Sequence, residues 1–216
     1  MKKIAISCIA ASMLIQLSMA DPANHSTHTP SHTHTAQALE SSTQEVLDAM
    51  HAPMLETEFV ESGEVNVDFI KNMIPHHQGA ILSSKKLIAS KDLNPTLKQL
   101  AQNIITAQEK EILYFTKLLR DEKQLKQTLP QEQYQQFVKQ AKSDMEVMMQ
   151  EMTKLDSNET LERAYMKAMI AHHQGAIDAA KQILSITNNA TITKIAKEII
   201  ATQEDEIKQF ATLLGR

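Results

Sequence analysis

The sequence holds a single cysteine, no tryptophan and only four glycines. The cysteine, Cys8, lies inside an apolar run from Ile4 to Leu17 that follows Lys2 and Lys3 and leads to Ser18-Met19-Ala20. That is the pattern of a secretory signal peptide, residues 1–20, cleaved after Ala20. Cleavage removes the sole thiol, which excludes disulfide, iron–sulfur and zinc-thiolate chemistry from the mature chain. A lipoprotein is excluded too, since its cysteine would have to follow the apolar run. No later run is long enough to span a bilayer, so the mature chain is expected to be soluble and periplasmic or secreted. It also lacks an excess of positive charge: 20 Lys and Arg stand against 26 Asp and Glu after cleavage, a formal net charge of −6. An acidic chain argues against nucleic acid or an anionic membrane as partner. No segment alternates as a strand does. Neither a His-Glu-x-x-His motif nor a Ser/His/Asp arrangement is visible, so hydrolysis has no candidate nucleophile.

What the chain does have is a nonapeptide that occurs twice. Met73-Ile-Pro-His-His-Gln-Gly-Ala-Ile81 returns 96 residues later as Met169-Ile-Ala-His-His-Gln-Gly-Ala-Ile177, with only the third residue changed. One long-period repeat indicates a duplicated helical unit rather than a solenoid. Residues at i, i+3 and i+4 share a helical face, so Met73 sits beside His76 and His77, and Met169 beside His172 and His173. Nine methionines remain after cleavage. A methionine-rich chain without cysteine points to thioether rather than thiolate metal binding, although most of these methionines read as core filler.

In chain order, residues 21–42 are rich in Ser, Thr, Pro and His and are expected to form a disordered tail. Its four histidines, His25, His28, His32 and His34, are candidates for weak, divalent metal capture. Residues 43–216 read as one duplicated helical domain with halves 43–122 and 128–216. Helical spacing marks 43–60, then 66–90 with its break at Gly63, then a helix after Asn94-Pro95. Thr128 and Gln131 resemble a capping box for the next helix. In that helix Met145, Met148, Met149 and Met152 read as core packing ahead of a copper relay. Asp156-Ser157-Asn158 is expected to open the second motif helix, and Thr187-Asn188-Asn189 to end it.

In a tight antiparallel hairpin, residues equidistant from the turn lie level. The Asp92-Leu93 turn then brings His77 level with Gln108, and the turn at Asn188 brings His173 level with Gln203. Each histidine pair thus faces a Gln-x-x-Glu, namely Gln108/Glu111 and Gln203/Glu206. An unpaired carboxylate on an apolar stripe would cost several kcal/mol, so Glu111 and Glu206 need the imidazoles as partners, either orienting them or binding metal themselves. A metal-free hydrogen-bonded network of the same residues is the plain alternative. Gly79 and Gly175 each cost ~1 kcal/mol inside a helix relative to Ala, which implies close helix approach at those points.

Ferritin-like di-iron bundles carry Glu-x-x-His, whereas both copies here carry Met-x-x-His. Thioether plus imidazole favours Cu(I), or Ag(I) as its mimic, over Zn or Fe. The expected fold is all-α: two helical hairpins packed as a ferritin-like four-helix bundle, with the 43–60 and 130–155 segments alongside.

At these motifs, and at the Gln-x-x-Glu-Ile stretches 108–112 and 203–207, the sequence resembles the domain of unknown function 305 family from about Met50 to Leu214. The resemblance implies an exported ferritin-like fold, copper binding or copper resistance, and a metal role for Met73, His76, His77, Met169, His172 and His173. The family often continues Ala-Ile-x-Met-Ala, whereas Ser83 and Ala179 stand at those methionine positions here. The leading expectation is therefore an exported protein that sequesters or delivers Cu(I), with metal ions and another envelope copper protein as partners. A ferritin-like oxidoreductase and a metal-free helical interaction module are the alternatives.

Overall fold

The structure, a computed structural model, describes residues 32–154 and 159–215. The expected signal peptide and residues 21–31 of the expected tail, with His25 and His28, lie outside the described residues. Helix α1 spans His32–Glu56, α2 Val65–Ile88, α3 Pro95–Leu118, α4 Gln131–Met152, α5 Leu161–Leu184 and α6 Ala190–Leu213. A 3-10 segment, Leu119–Leu125, follows α3. Among the described residues there is no strand, only an isolated bridge between Glu64 and Thr128. The protein is all-α.

Several boundaries differ from the sequence expectation for local reasons. Helix α1 begins at His32, so His32 and His34 lie in its first turn; the helix formers Ala36 to Glu40 favour this extension. Thr128 does not cap α4. Its hydroxyl donates to Oε1 of Glu64 at 3.1 Å, while Pro130 takes the N-cap position with no side-chain hydrogen bond. Helix α5 is capped by Thr160, which accepts from the Arg163 amide, rather than opened by residues 156–158, which lie outside the described residues.

The hairpin turns repeat each other. Asn94 accepts from the amides of Thr96 and Leu97 ahead of α3, and Asn189 accepts from those of Thr191 and Ile192 ahead of α6. An N-cap of this kind is worth ~1 kcal/mol over alanine. Asp92 takes a left-handed conformation in the first turn (φ 59°), which Asp tolerates better than most residues. At the far end of α2, Asn66 donates to the Leu125 carbonyl and accepts from Thr187, tying the linker between halves to the α5–α6 turn.

Helix α2 packs on α3 and on α5, and α5 packs on α6 and α4. The apolar interior falls into two clusters. One combines Met50 of α1, Ala80 and Leu87 of α2, Leu97 to Ile104 of α3, Met148 and Met152 of α4, Leu161 to Met169 of α5, and Phe210 of α6. The other combines Val65 to Met73 of α2, Phe115 of α3, Phe137 of α4, Ala176 to Ile183 of α5, and Ile192 to Ile199 of α6. On each of the four inner helices the chain passes from one cluster to the other through a few polar residues. Those residues are His76 and His77, Gln108 and Glu111, His172 and His173, and Gln203 and Glu206.

The two motif glycines explain how α1 and α4 lie alongside. A Cβ on Gly79 would stand 2.2 Å from the Met50 carbonyl oxygen, and a Cβ on Gly175 would stand 2.3 Å from the Met148 sulfur. Each glycine admits a flanking helix against a motif helix, one through backbone and the other through a thioether.

Candidate metal centre

The polar layer sits mid-bundle because the histidine pairs occupy the stripe that α2 and α5 turn inward. His77, His172 and His173 are fully buried and His76 is 8% exposed. Nε2 of His77 lies 2.7 Å from Oε2 of Glu111, and Nε2 of His173 lies 2.8 Å from Oε2 of Glu206. These are ion-pair distances, yet neither ring nitrogen has hydrogen-bond geometry. The two pairs differ in exposure, since the Glu111 side chain is 26% exposed and that of Glu206 only 9%. Phe115 and Phe210, one turn beyond each glutamate, back the rings of His77 and His173 at 5.6 and 6.0 Å between centroids.

The two copies of the motif meet at His76 and His172, whose ring centroids are 3.7 Å apart. Nε2 of His76 lies 3.1 Å from the His172 carbonyl oxygen. A carbonyl only accepts, so this nitrogen carries the proton and Nδ1 holds the lone pair. His172 approaches the His76 carbonyl reciprocally, but outside full hydrogen-bond geometry. Burial, and then the neighbouring imidazoles, hold the pKa of both His76 and His172 well below the usual histidine value. Both rings are neutral at physiological pH, as metal ligation requires.

Five of the eight ring nitrogens in this layer have neither a hydrogen bond nor a carboxylate contact, and both polar atoms of the Gln108 amide and the Gln203 carbonyl oxygen also lack a hydrogen-bond partner. Each buried polar atom left unpaired costs roughly 1–3 kcal/mol, so so many in one layer need an additional partner. Imidazole nitrogens with free lone pairs are suited to a borderline or soft metal ion. Met73 is 3% exposed and Met169 fully buried. They belong to opposite apolar clusters, so a thioether residue flanks the histidine layer at each end. Among the described residues no three His, Cys, Asp or Glu side chains already converge as ligands of one ion.

Sequence reasoning missed three polar residues, His51, Tyr165 and Ser84. His51 of α1 is half-buried with its Nε2 unpartnered, and burial lowers its pKa. It lies outside the duplicated motif, so the repeat gave no sign of it. Tyr165 and Ser84 share a buried hydrogen bond of 2.7 Å, and burial raises the tyrosine pKa. A signal for this pair did exist: the equivalent positions in the other half are Phe69 and Ala180, so the two polar departures from the repeat face each other.

Fold and site together define an all-α duplicated bundle with a buried histidine layer at its centre. The chain belongs to the family described as Domain of unknown function (DUF305), which it matches over residues 66–214. Among solved structures it is similar to CopM in an Ag-bound form (28% identity, 68% of this chain and 93% of that chain, TM-score 0.49). It is similar also to CopM in a Cu(I)-bound form (29% identity, 68% and 94%, TM-score 0.48). A third is a DUF305 fragment from Deinococcus radiodurans (24% identity, 70% and 96%, TM-score 0.49). None of the curated proteins matches the sequence. No helix among the described residues is long and apolar enough to cross a membrane.

Proposed function

We propose that the protein is an exported Cu(I)-binding protein that sequesters copper or passes it to another envelope copper protein, with His76, His77, His172, His173, Met73 and Met169 holding the ion. The observation that carries this reading is the layer of four buried histidines, five of whose eight ring nitrogens touch neither a hydrogen-bond partner nor a carboxylate, with a methionine at each end. Copper is here cargo rather than a resident cofactor. The chain's residues prepare for it in three ways.

Burial keeps His76 and His172 neutral, so loading need not displace protons from them. Glu111 and Glu206 lie against His77 and His173 and fix the orientation of those rings, the usual part of a carboxylate beside a ligating histidine. Thioethers in place of the carboxylates of di-iron bundles favour a soft monovalent ion. Ahead of the bundle, His25 and His28, with His32 and His34 in the first turn of α1, supply weaker capture of divalent ions. Purified mature protein should hold copper in the reduced state without turnover. Iron or manganese with oxygen consumption would replace this reading by a metal oxidase, and absence of any metal uptake by a packing role for the histidine layer.

A further inference from the structure

A cavity of about 140 Å³ opens between α1, α2, α4 and α5. Met54, Met145 and Met148 line it from the flanking helices, and Met73 and His76 form part of its wall on α2. Methionine used as core filler closes a gap, because its unbranched chain adapts to the space. Here four methionines border a gap that stays open. The Met148 side chain rests on Gly175, where any Cβ would stand 2.3 Å from the sulfur. Gly175 lies one turn from His172, so the glycine seats a thioether beside the histidine layer. Met54, Met145 and Asp144 are only partly buried, Glu58 is exposed, and Phe59, Phe69 and Phe137 also line the cavity. Its lining thus includes carboxylates, thioethers and an imidazole.

We infer that this cavity is a second soft-metal site, in which Met54, Met145 and Met148 bind Cu(I) or Ag(I) on the way to the histidine layer. Three neutral thioethers select a soft monovalent ion over divalent ones, and the carboxylates in the lining attract a cation. The inference rests on the proposed copper reading but names residues outside the duplicated motif.

Ag(I) is the probe, since it is redox-inert and mimics Cu(I). The ions retained by the full chain after desalting are counted by elemental analysis. Met54→Leu with Met145→Leu should retain one Ag(I) fewer than wild type, with an unchanged melt showing that the bundle is intact. Adding Met148→Leu should leave the count at that lower value. His77→Ala with His173→Ala, which does not touch the cavity, should lose the inner ion and keep the outer one, with sulfur dominating its X-ray absorption shell. Equal Ag(I) retention by wild type and the Met54/Met145 variant would overturn the second site alone. Failure of wild type to retain any Ag(I) would overturn both this inference and the copper reading.

Discussion

The rings of His76 and His172 meet with their centroids 3.7 Å apart and their planes tilted by 38°, although 96 residues separate them in the chain. This contact joins the two copies of the motif, and with His77 and His173 beside it makes one continuous histidine layer rather than two isolated pairs. Burial between the two apolar clusters is the main reason that His76 and His172 stay neutral.

That neutrality has a consequence for stability. A histidine whose pKa is depressed in the folded state binds its proton more readily when unfolded. Acid therefore favours the unfolded chain below the ordinary value of about 6.5. Above pH 7 His76 and His172 should contribute no slope. Below it each should remove roughly 1.4 kcal/mol per pH unit until it protonates in the folded state. Urea midpoints of metal-free protein between pH 7.5 and 5 should fall steeply, and the His76→Gln, His172→Gln variant should show a shallower fall. An identical slope in the two proteins would mean that these rings already carry a proton or are solvated.

The two motif glycines should differ in what they tolerate. Gly79→Ala drives a methyl into the Met50 carbonyl, so α1 must shift as a whole. Gly175→Ala meets the flexible end of Met148. Overpacking of this kind costs about 1–3 kcal/mol, partly offset by the ~1 kcal/mol gain in helix propensity. Gly79→Ala should lie at the upper end and Gly175→Ala near neutrality. Thermal melts of the two single variants would settle the order, and equal melting temperatures would contradict the backbone contact at Gly79.

Tyr165 and Ser84 provide a test of how the halves diverged. Tyr165→Phe alone leaves a buried serine hydroxyl without its partner, a loss of about 1–3 kcal/mol. Adding Ser84→Ala recreates the Phe69 and Ala180 pairing of the other half and should recover most of it. A double-mutant cycle on unfolding free energy measures the coupling, and strictly additive effects would show that the hydrogen bond contributes nothing specific.

Much of this arrangement was legible in the sequence because hairpin geometry is nearly arithmetic. Equal spacing from the turn placed Glu111 one turn from the residue level with His77, and the two meet at 2.7 Å. The Asn94-Pro95 start was legible because the side chain, the proline and the following apolar period agree. The His76–His172 ring contact was not legible, because periodicity fixes which face a helix turns inward but not how one hairpin docks on another. Thr128 misled for a related reason. Its hydroxyl had a local use as a cap, and a tertiary partner, Glu64, took it instead. The methionine-lined cavity needs four helices to form, and no single stretch of sequence announces it.

The most direct test is a Cu(I) titration against a competing chelator. Wild type is compared with Met73→Leu/Met169→Leu, Glu111→Gln/Glu206→Gln and His76→Ala/His172→Ala. Met→Leu keeps volume, costing under about 1.5 kcal/mol of stability, so a change in affinity reports the sulfur itself. The copper reading predicts that the methionine variant loses most of its Cu(I) affinity, the histidine variant nearly all, and the glutamate variant a smaller part. Full affinity in the methionine variant with abolished binding in the glutamate variant would contradict it, and would move the site to a harder ion held by carboxylates.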